Sequence, residues 1–129
     1  MIHILVIDDS TTSRLYYRDV LETAGFAVSE AINGIDALER LAEGDFQLLL
    51  LDINMPRMDG NAFLAVLRGD PVHRALPVIM ISTEAAAADR TRAYAAGANY
   101  YIVKPAAPDE LAGCVRIMTS GTPALRLVA

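Results

Sequence analysis

The 129-residue chain contains no tryptophan, a single cysteine and a single lysine. Because Cys114 has no second cysteine to pair with, an internal disulfide is excluded, and a cytoplasmic location is the simplest expectation. Lys104 is the only lysine among eleven basic residues, and the net charge is −5. The basic residues form no cluster, so direct DNA binding is not expected.

The sequence also lacks a long apolar segment. No apolar run approaches the roughly 20 residues that cross a bilayer. The N-terminal stretch MIHILVIDDS has no basic region and soon reaches two acidic residues, so neither a membrane span nor a signal peptide is expected. The length suits one domain, which we place at residues 1–119, followed by a loosely held tail at 120–129.

Short apolar stretches alternate along the chain with amphipathic stretches. The apolar stretches predict five strands, near residues 2–7, 26–31, 46–51, 77–81 and 100–104. Between them apolar residues recur at helical spacing, as at Tyr17, Val20, Leu21 and Ala24. Strands that are separated by helices form parallel sheets with helices on both faces. We therefore expect an α/β fold, a three-layer αβα sandwich around a five-stranded parallel sheet.

Polar residues follow four of the five predicted strands, and the second strand delivers nothing comparable. Ligands bind such sheets beyond the carboxyl ends of the strands, where the strand order reverses. The side chains found there are Asp8 and Asp9 after the first strand, Asp52 after the third, Ser82 and Thr83 after the fourth, and Lys104 after the fifth. If the first and third strands are neighbours, three carboxylates converge opposite a hydroxyl and the only lysine.

Three convergent carboxylates require compensation. Two carboxylates about 5–6 Å apart repel by roughly 3 kcal/mol at an effective dielectric of about 20, and Lys104 neutralises only one charge. Hard oxygen donors suit Mg²⁺, which binds one or two carboxylates together with phosphate oxygens. Each residue also has a simpler explanation: Asp8, Asp9 and Ser82 as helix caps, Asp52 as a turn residue, and Lys104 as a surface charge.

Four sequence blocks resemble the signature blocks of bacterial two-component response regulator receiver domains, especially the single-domain, CheY-like chemotaxis regulators. These blocks are VIDDS, LLLLDINMPRMDG, PVIMISTE and YYIVKP. The similarity extends from residue 2 to about residue 118, and the block from Asp52 to Gly60 is its most specific part. The resemblance implies a flavodoxin-like sheet with strand order 2-1-3-4-5.

The resemblance also implies a chemistry. Asp52 would accept a phosphoryl group from a sensor histidine kinase or a phosphotransfer protein, with Lys104 and Ser82 binding the phosphoryl oxygens. The family is a signalling family rather than an enzyme family, and it catalyses only its own phosphorylation and dephosphorylation. The ligands implied for Mg²⁺ are Asp9, Asp52, the backbone carbonyl of Asn54 and, through water, Asp8.

The readout implied by the resemblance involves further residues. Ser82 and Tyr101 would form the switch, and a downstream partner would bind the surface of the fourth helix, fifth strand and fifth helix. Asn54 and Glu84 would tune dephosphorylation toward a short-lived phospho-form, and Thr83 would affect phosphodonor access. The Lys104–Pro105 bond is expected to be cis. Whether phosphorylation drives homodimerisation is left open.

Three other functions share parts of this pattern. A phosphohydrolase with an aspartate nucleophile also uses Mg²⁺, but the segment from Asp52 to Pro56 lacks its second acid. A flavin-binding module would need a phosphate loop after the first strand, where Asp8 and Asp9 would repel the phosphate. A degenerate receiver that acts only as a protein-binding module would not need the complete acidic set.

Overall fold

The computed structural model of the protein describes residues 1–120, in which five strands alternate with five helices. The strands are β1 His3–Ile7, β2 Ala27–Ala31, β3 Leu48–Asp52, β4 Val78–Ser82 and β5 Tyr100–Val103. The helices are α1 Thr11–Thr23, α2 Gly34–Glu43, α3 Gly60–Gly69, α4 Ala87–Ala96 and α5 Pro108–Ser120. All five predicted strands are confirmed, with ends that differ by one or two residues. Residues 121–129 of the predicted tail lie outside the described residues, so the domain boundary stays a prediction.

The five strands form one parallel sheet in the order β2-β1-β3-β4-β5, which confirms the expected fold. In the register of β1 and β3, Ile7 lies beside Leu51. The residues that follow, Asp8 and Asp52, therefore leave the sheet at the same edge. On the other side of β3, Asp52 pairs with Ile81, and Ser82 pairs with Val103 of β5. The register thus brings the ends of four strands together.

The leucines of β3 explain why that strand is apolar along its whole length. Leu49 and Leu51 pack in the core layer beneath α2, α3 and α4, whereas Leu48 and Leu50 pack in the layer beneath α1 and α5. Both faces of the strand are covered, as is usual for the central strands of parallel sheets. Since side chains alternate between the faces, Asp52 continues the row of Leu48 and Leu50, toward α1 and α5.

The helices differ in how they begin. The side chains of Ser10, Asn33 and Asp59 accept hydrogen bonds from backbone N–H groups in the first turns of α1, α2 and α3. Ala86, which precedes α4, has no side chain that can do this. No helix among the described residues combines the length and the apolar character that a membrane span needs.

Candidate functional site

Three carboxylates lie together at the carboxyl edge of the sheet, and we call them the acidic wall: Asp8, Asp9 and Asp52. One carboxylate oxygen from each lies within 4.8 Å of the others. Asp8 and Asp52 are buried, with 1% and 6% of their surface exposed, whereas Asp9 is exposed. The Lys104 ammonium lies 3.5 Å from Asp8 Oδ2 and 3.6 Å from Asp52 Oδ1. The structure therefore brings together the three acids and the single lysine that the sequence placed at this edge.

Asp52 is the most perturbed acid of this wall. Burial and the negative charge of Asp8 raise the pKa of Asp52 to about 6, against the opposing effect of the Lys104 ammonium. The Asn54 N–H, 3.3 Å from Asp52 Oδ1, also acts to lower this pKa. The protein alone thus does not fully balance the negative charge of ionised Asp52, and a further cation would favour the charged form of this side chain.

The donor set of the acidic wall fits Mg²⁺. Three carboxylates face one ammonium group, so the protein leaves an excess of negative charge at the site. All the side-chain donors are hard oxygens, and Mg²⁺ binds through few protein ligands while keeping several waters. Exposed Asp9 borders solvent, which is compatible with an ion that keeps part of its hydration shell.

The bend after β3 fixes the position of Asp52. The N–H of Gly60 donates to the carbonyl of Ile53 at 2.9 Å, which brings the start of α3 against the end of the strand. A Cβ atom at residue 60 would lie 2.6 Å from the backbone oxygen of Asp52. Only glycine allows this approach, because real Cβ atoms do not come so close to a backbone oxygen. The segment Met58–Gly60 therefore allows α3 to begin directly against the end of β3.

Ser82, Thr83, Glu84 and Tyr101 form a second group, which we call the switch wall. Ser82 is fully buried, and its hydroxyl oxygen accepts a hydrogen bond from the Glu84 N–H at 3.0 Å. The hydroxyl of buried Tyr101 donates to the Glu84 carbonyl at 2.8 Å. The guanidinium of Arg90 lies 5.7 Å from the centre of the Tyr101 ring. Both predicted switch residues are therefore joined through the backbone of Glu84.

Arg14 and Glu30 support the acidic wall and were missed in the sequence. Arg14 donates to the carbonyl of Asp8 at 2.7 Å and forms an ion pair with Glu30 of β2 at 2.8 Å. Strand β2 thus contributes indirectly, although it delivers no side chain to the site itself. A signal was present, because Arg14 shares the buried stripe of α1 with Tyr17 and Leu21. A charged residue in such a stripe needs a partner.

A groove of about 580 Å³ borders the site next to Lys104. Its lining residues are Thr12, Ser13, Tyr16, Tyr17, Thr83, Lys104, Pro105 and Ala106. Thr83, the residue predicted to affect phosphodonor access, is exposed and lines this groove. The Lys104–Pro105 peptide bond is cis, as expected.

Residues 4–116 match the family model of the response regulator receiver domain. The chain is 41% identical to the chemotaxis protein CheY1 of Helicobacter pylori over 110 residues, which cover 84% of this chain and 89% of the relative. It is 34% identical to the protein PilG of Pseudomonas aeruginosa over 113 residues, 88% of this chain and 84% of the relative. A structure of the Vibrio cholerae chemotaxis protein CheY4 superposes with a TM-score of 0.86 at 30% identity, covering 92% of this chain and 98% of that one. By its sequence and its fold, the chain belongs to the receiver domains of response regulators.

Proposed function

We propose that Asp52 accepts a phosphoryl group from a phosphohistidine of a sensor histidine kinase or phosphotransfer protein, in a reaction that requires Mg²⁺. One observation carries this proposal: a buried carboxylate stands within 4.8 Å of two others, with the only lysine 3.6 Å away. A carboxylate held in this way can act as a nucleophile, and Lys104 together with a bound Mg²⁺ would neutralise the charge of an incoming phosphoryl group. The proposed setting is the cytoplasm.

The residues of the site divide the work of phosphoryl transfer. An Asp52 oxygen forms the new bond to phosphorus while the bond from phosphorus to the histidine nitrogen breaks. The electron pair departs with that nitrogen, and because the other ring nitrogen of the phosphohistidine carries a proton, the imidazole leaves neutral. The Lys104 ammonium, which already faces Asp52, neutralises charge on one phosphoryl oxygen, and the Ser82 hydroxyl donates to another. Mg²⁺, held by Asp9, Asp52 and the Asn54 carbonyl with Asp8 acting through water, would neutralise further phosphoryl charge.

The switch wall offers a route from the phosphoryl group to the surface. The Ser82 oxygen now accepts from the Glu84 N–H, and the Tyr101 hydroxyl is bound to the carbonyl of that same residue. If the phosphoryl group draws Ser82 toward Asp52, Glu84 loses one of these two contacts. The resulting shift would change the α4-β5-α5 surface, where Tyr94 and Tyr100 are exposed for a downstream protein. Asn54 and Glu84, both exposed, would set the access of the hydrolytic water.

Phosphorylation with a small donor tests the proposal. The protein is incubated with acetyl phosphate and Mg²⁺, and the adduct is measured by intact mass and located by peptide mapping. We expect one acid-stable, hydroxylamine-labile phosphoryl group on Asp52, which EDTA prevents. Asp52→Asn should abolish it, whereas Asp45→Asn, an exposed acid outside the site, should not.

Two results would contradict the proposal. Continuous release of phosphate from a phosphomonoester, without a stable adduct, would indicate a phosphohydrolase. A folded protein that takes up no phosphoryl group with Mg²⁺ present would indicate a receiver that acts only by binding. Size-exclusion chromatography of the same samples, with and without the donor, shows whether phosphorylation also produces a homodimer.

A further inference from the structure

Asn61, in the first turn of α3, carries a buried acceptor that has no donor. Its Oδ1 atom is shielded from solvent, and within residues 1–120 it is the only buried side-chain oxygen or nitrogen without a hydrogen-bond partner. A buried carbonyl oxygen in this condition destabilises the conformation in which it occurs. The side chain of Asn61 therefore favours any rearrangement that brings a donor to this atom.

The side of α3 that carries Asn61 faces α4. Asn61 lies roughly two helical turns before Arg68, so both side chains project from the same side of α3. The Arg68 guanidinium donates to the carbonyl of Gly97, at the end of α4, at 2.7 and 3.1 Å. Helices α3 and α4 pack against each other on one face of the sheet, and both run from its carboxyl edge toward its amino edge. Because Arg68 contacts the end of α4, Asn61, about 10 Å earlier along α3, faces its beginning.

Backbone donors lie at the beginning of α4, in exposed residues 84–88, which we call the α4 entry segment. No side chain caps this helix, and the first N–H groups of a helix have no acceptor within it. The N–H of Glu84 donates to the Ser82 hydroxyl at 3.0 Å. Movement of Ser82 toward a phosphoryl group on Asp52 would release this donor as well. The α4 entry segment thus holds the donors that Asn61 lacks.

We infer that Asn61 is a positioning residue for the phosphorylated state, in which its Oδ1 accepts a hydrogen bond from a backbone N–H of the α4 entry segment. The inference rests on the proposed function and extends the switch to α3. In the unphosphorylated protein Ser82 holds the segment, and Asn61 Oδ1 has no donor. After phosphorylation Ser82 binds the phosphoryl group, and the released segment bonds to Asn61. Because this bond forms only in the second state, Asn61 increases the affinity of the site for a phosphoryl group.

Binding of fluoroberyllate, a tetrahedral mimic of a phosphoryl group on a carboxylate, provides the test. The parent protein and Asn61→Leu are titrated with beryllium in excess fluoride and Mg²⁺, and bound fluoride is measured by fluorine NMR. We expect Asn61→Leu to raise the half-saturating beryllium concentration about fivefold, since one hydrogen bond contributes a factor of this size. Without fluoroberyllate, the variant should be at least as stable as the parent in urea, because it loses an unpaired buried atom and no hydrogen bond.

Amide hydrogen exchange, measured by NMR, locates the new contact. In the parent protein fluoroberyllate should slow the exchange of at least one N–H in the α4 entry segment, and Asn61→Leu should abolish this slowing. The matched control is Ala62→Leu, which adds the same side chain at the next, exposed residue and should change neither the exchange nor the beryllium affinity. Asn61→Ala removes the acceptor without added bulk, and it should give the same result if Asn61→Leu does not fold.

Each remaining outcome decides against the inference. Equal beryllium affinities of the parent protein and both Asn61 variants would overturn the inference and leave the proposed function standing. Weaker binding together with a matching loss of stability in the unliganded variants would give Asn61 a structural role alone and overturn the inference too. An equal loss of affinity in Ala62→Leu would have the same meaning. A parent protein that binds no fluoroberyllate in Mg²⁺ would contradict the proposed function and this inference together.

Discussion

Helix α1 stands behind the acidic wall and begins with a Ser10 side-chain cap, whereas α4 stands behind the switch wall and begins after Ala86 with none. The acidic wall is also braced from outside, because Arg14 holds the Asp8 carbonyl and is itself held by Glu30. Within the switch wall, the Ser82 hydroxyl accepts from the N–H of Glu84, and the Tyr101 hydroxyl donates to the carbonyl of Glu84. The acidic wall is thus held from outside by an ion pair, whereas the side-chain hydrogen bonds of the switch wall converge on one residue, Glu84.

The two ends of α4 also differ in how many contacts hold them. At its C-terminus Gly97 adopts a left-handed conformation, and its carbonyl accepts two hydrogen bonds from Arg68, at 2.7 and 3.1 Å. Arg68 also donates to the Leu76 carbonyl at 2.7 Å, so the end of α4 is fastened to the segment that precedes β4. A rearrangement that begins at Ser82 should therefore move the first turn of α4 more than its last turn.

The largest expected effect on the free energy of unfolding comes from the negative charge of Asp52 in the acidic wall. Asp52→Asn should stabilise the metal-free protein by about 3 kcal/mol at pH 7.5, because the folded-state pKa of Asp52 is about 6 against an unfolded value of 3.8. An acid whose pKa is raised in the folded state does not destabilise the protein below pH 3.8 and destabilises it fully above about pH 6. The stabilisation by Asp52→Asn should therefore be about half as large at pH 5 as at pH 7.5. Urea unfolding in EDTA measures this gain, with Asp45→Asn as the control. A gain that does not depend on pH would contradict the electrostatic origin.

A smaller effect is expected from Arg14, which holds the carbonyl of Asp8. Arg14→Met should destabilise the protein by about 2 kcal/mol, since it breaks a largely buried ion pair and leaves the Asp8 carbonyl without its donor. It should also weaken the stabilisation of the protein by Mg²⁺, measured as the shift in Tm. Arg18→Met is the matched control, because Arg18 pairs with the same Glu30 but is more exposed, and it should cost under about 1 kcal/mol. Equal losses in the two variants would show that Arg14 does not brace the wall.

Removal of one hydroxyl group from the switch wall should destabilise the protein less than Arg14→Met does. Tyr101→Phe removes the hydrogen bond to the Glu84 carbonyl and keeps the ring beneath Arg90, so we expect a loss of about 1 kcal/mol in urea unfolding. Tyr94→Phe, on the exposed surface of α4, should change stability little. If Tyr101→Phe cost as much as Arg14→Met, the contrast between the two walls would not hold.

The smallest expected effect is a gain at the start of α4. Ala86→Ser supplies the missing cap and should stabilise the protein by about 0.5–1 kcal/mol. Amide hydrogen exchange should slow in the first turn of α4, while exchange near Gly97 should not change. Ala85→Ser, one residue earlier, serves as the control. Slower exchange along the whole helix would show that its two ends are not held independently.

The strands and the acidic set could be predicted because both depend on local patterns. Alternation of apolar strands with amphipathic helices determines a parallel sheet, and parallel strands present their carboxyl ends at one edge. The residues at those ends, Asp8, Asp52 and Lys104, could therefore be assigned to that edge from their positions in the chain, whereas the strand order that makes them neighbours was implied only by the family resemblance. The turn after β3 could also be predicted from its residues, although the reason for it, the close approach of Gly60 to the backbone of Asp52, is visible only in the folded structure.

By itself the sequence determined which side chains stand at the carboxyl ends of the strands, because strand ends and charges are encoded locally. That these side chains meet depends on the strand order, which the structure shows. The tertiary structure alone decided how those side chains are supported. Three of these contacts join residues that are distant in the chain. They are the Arg14–Glu30 ion pair, the Tyr16–Ala106 hydrogen bond and the Tyr101–Glu84 hydrogen bond, whose residues are 16, 90 and 17 positions apart. Such contacts depend on how α1, the sheet and the segments after β4 and β5 pack, and packing is a property of the assembled layers rather than of any one stretch of chain.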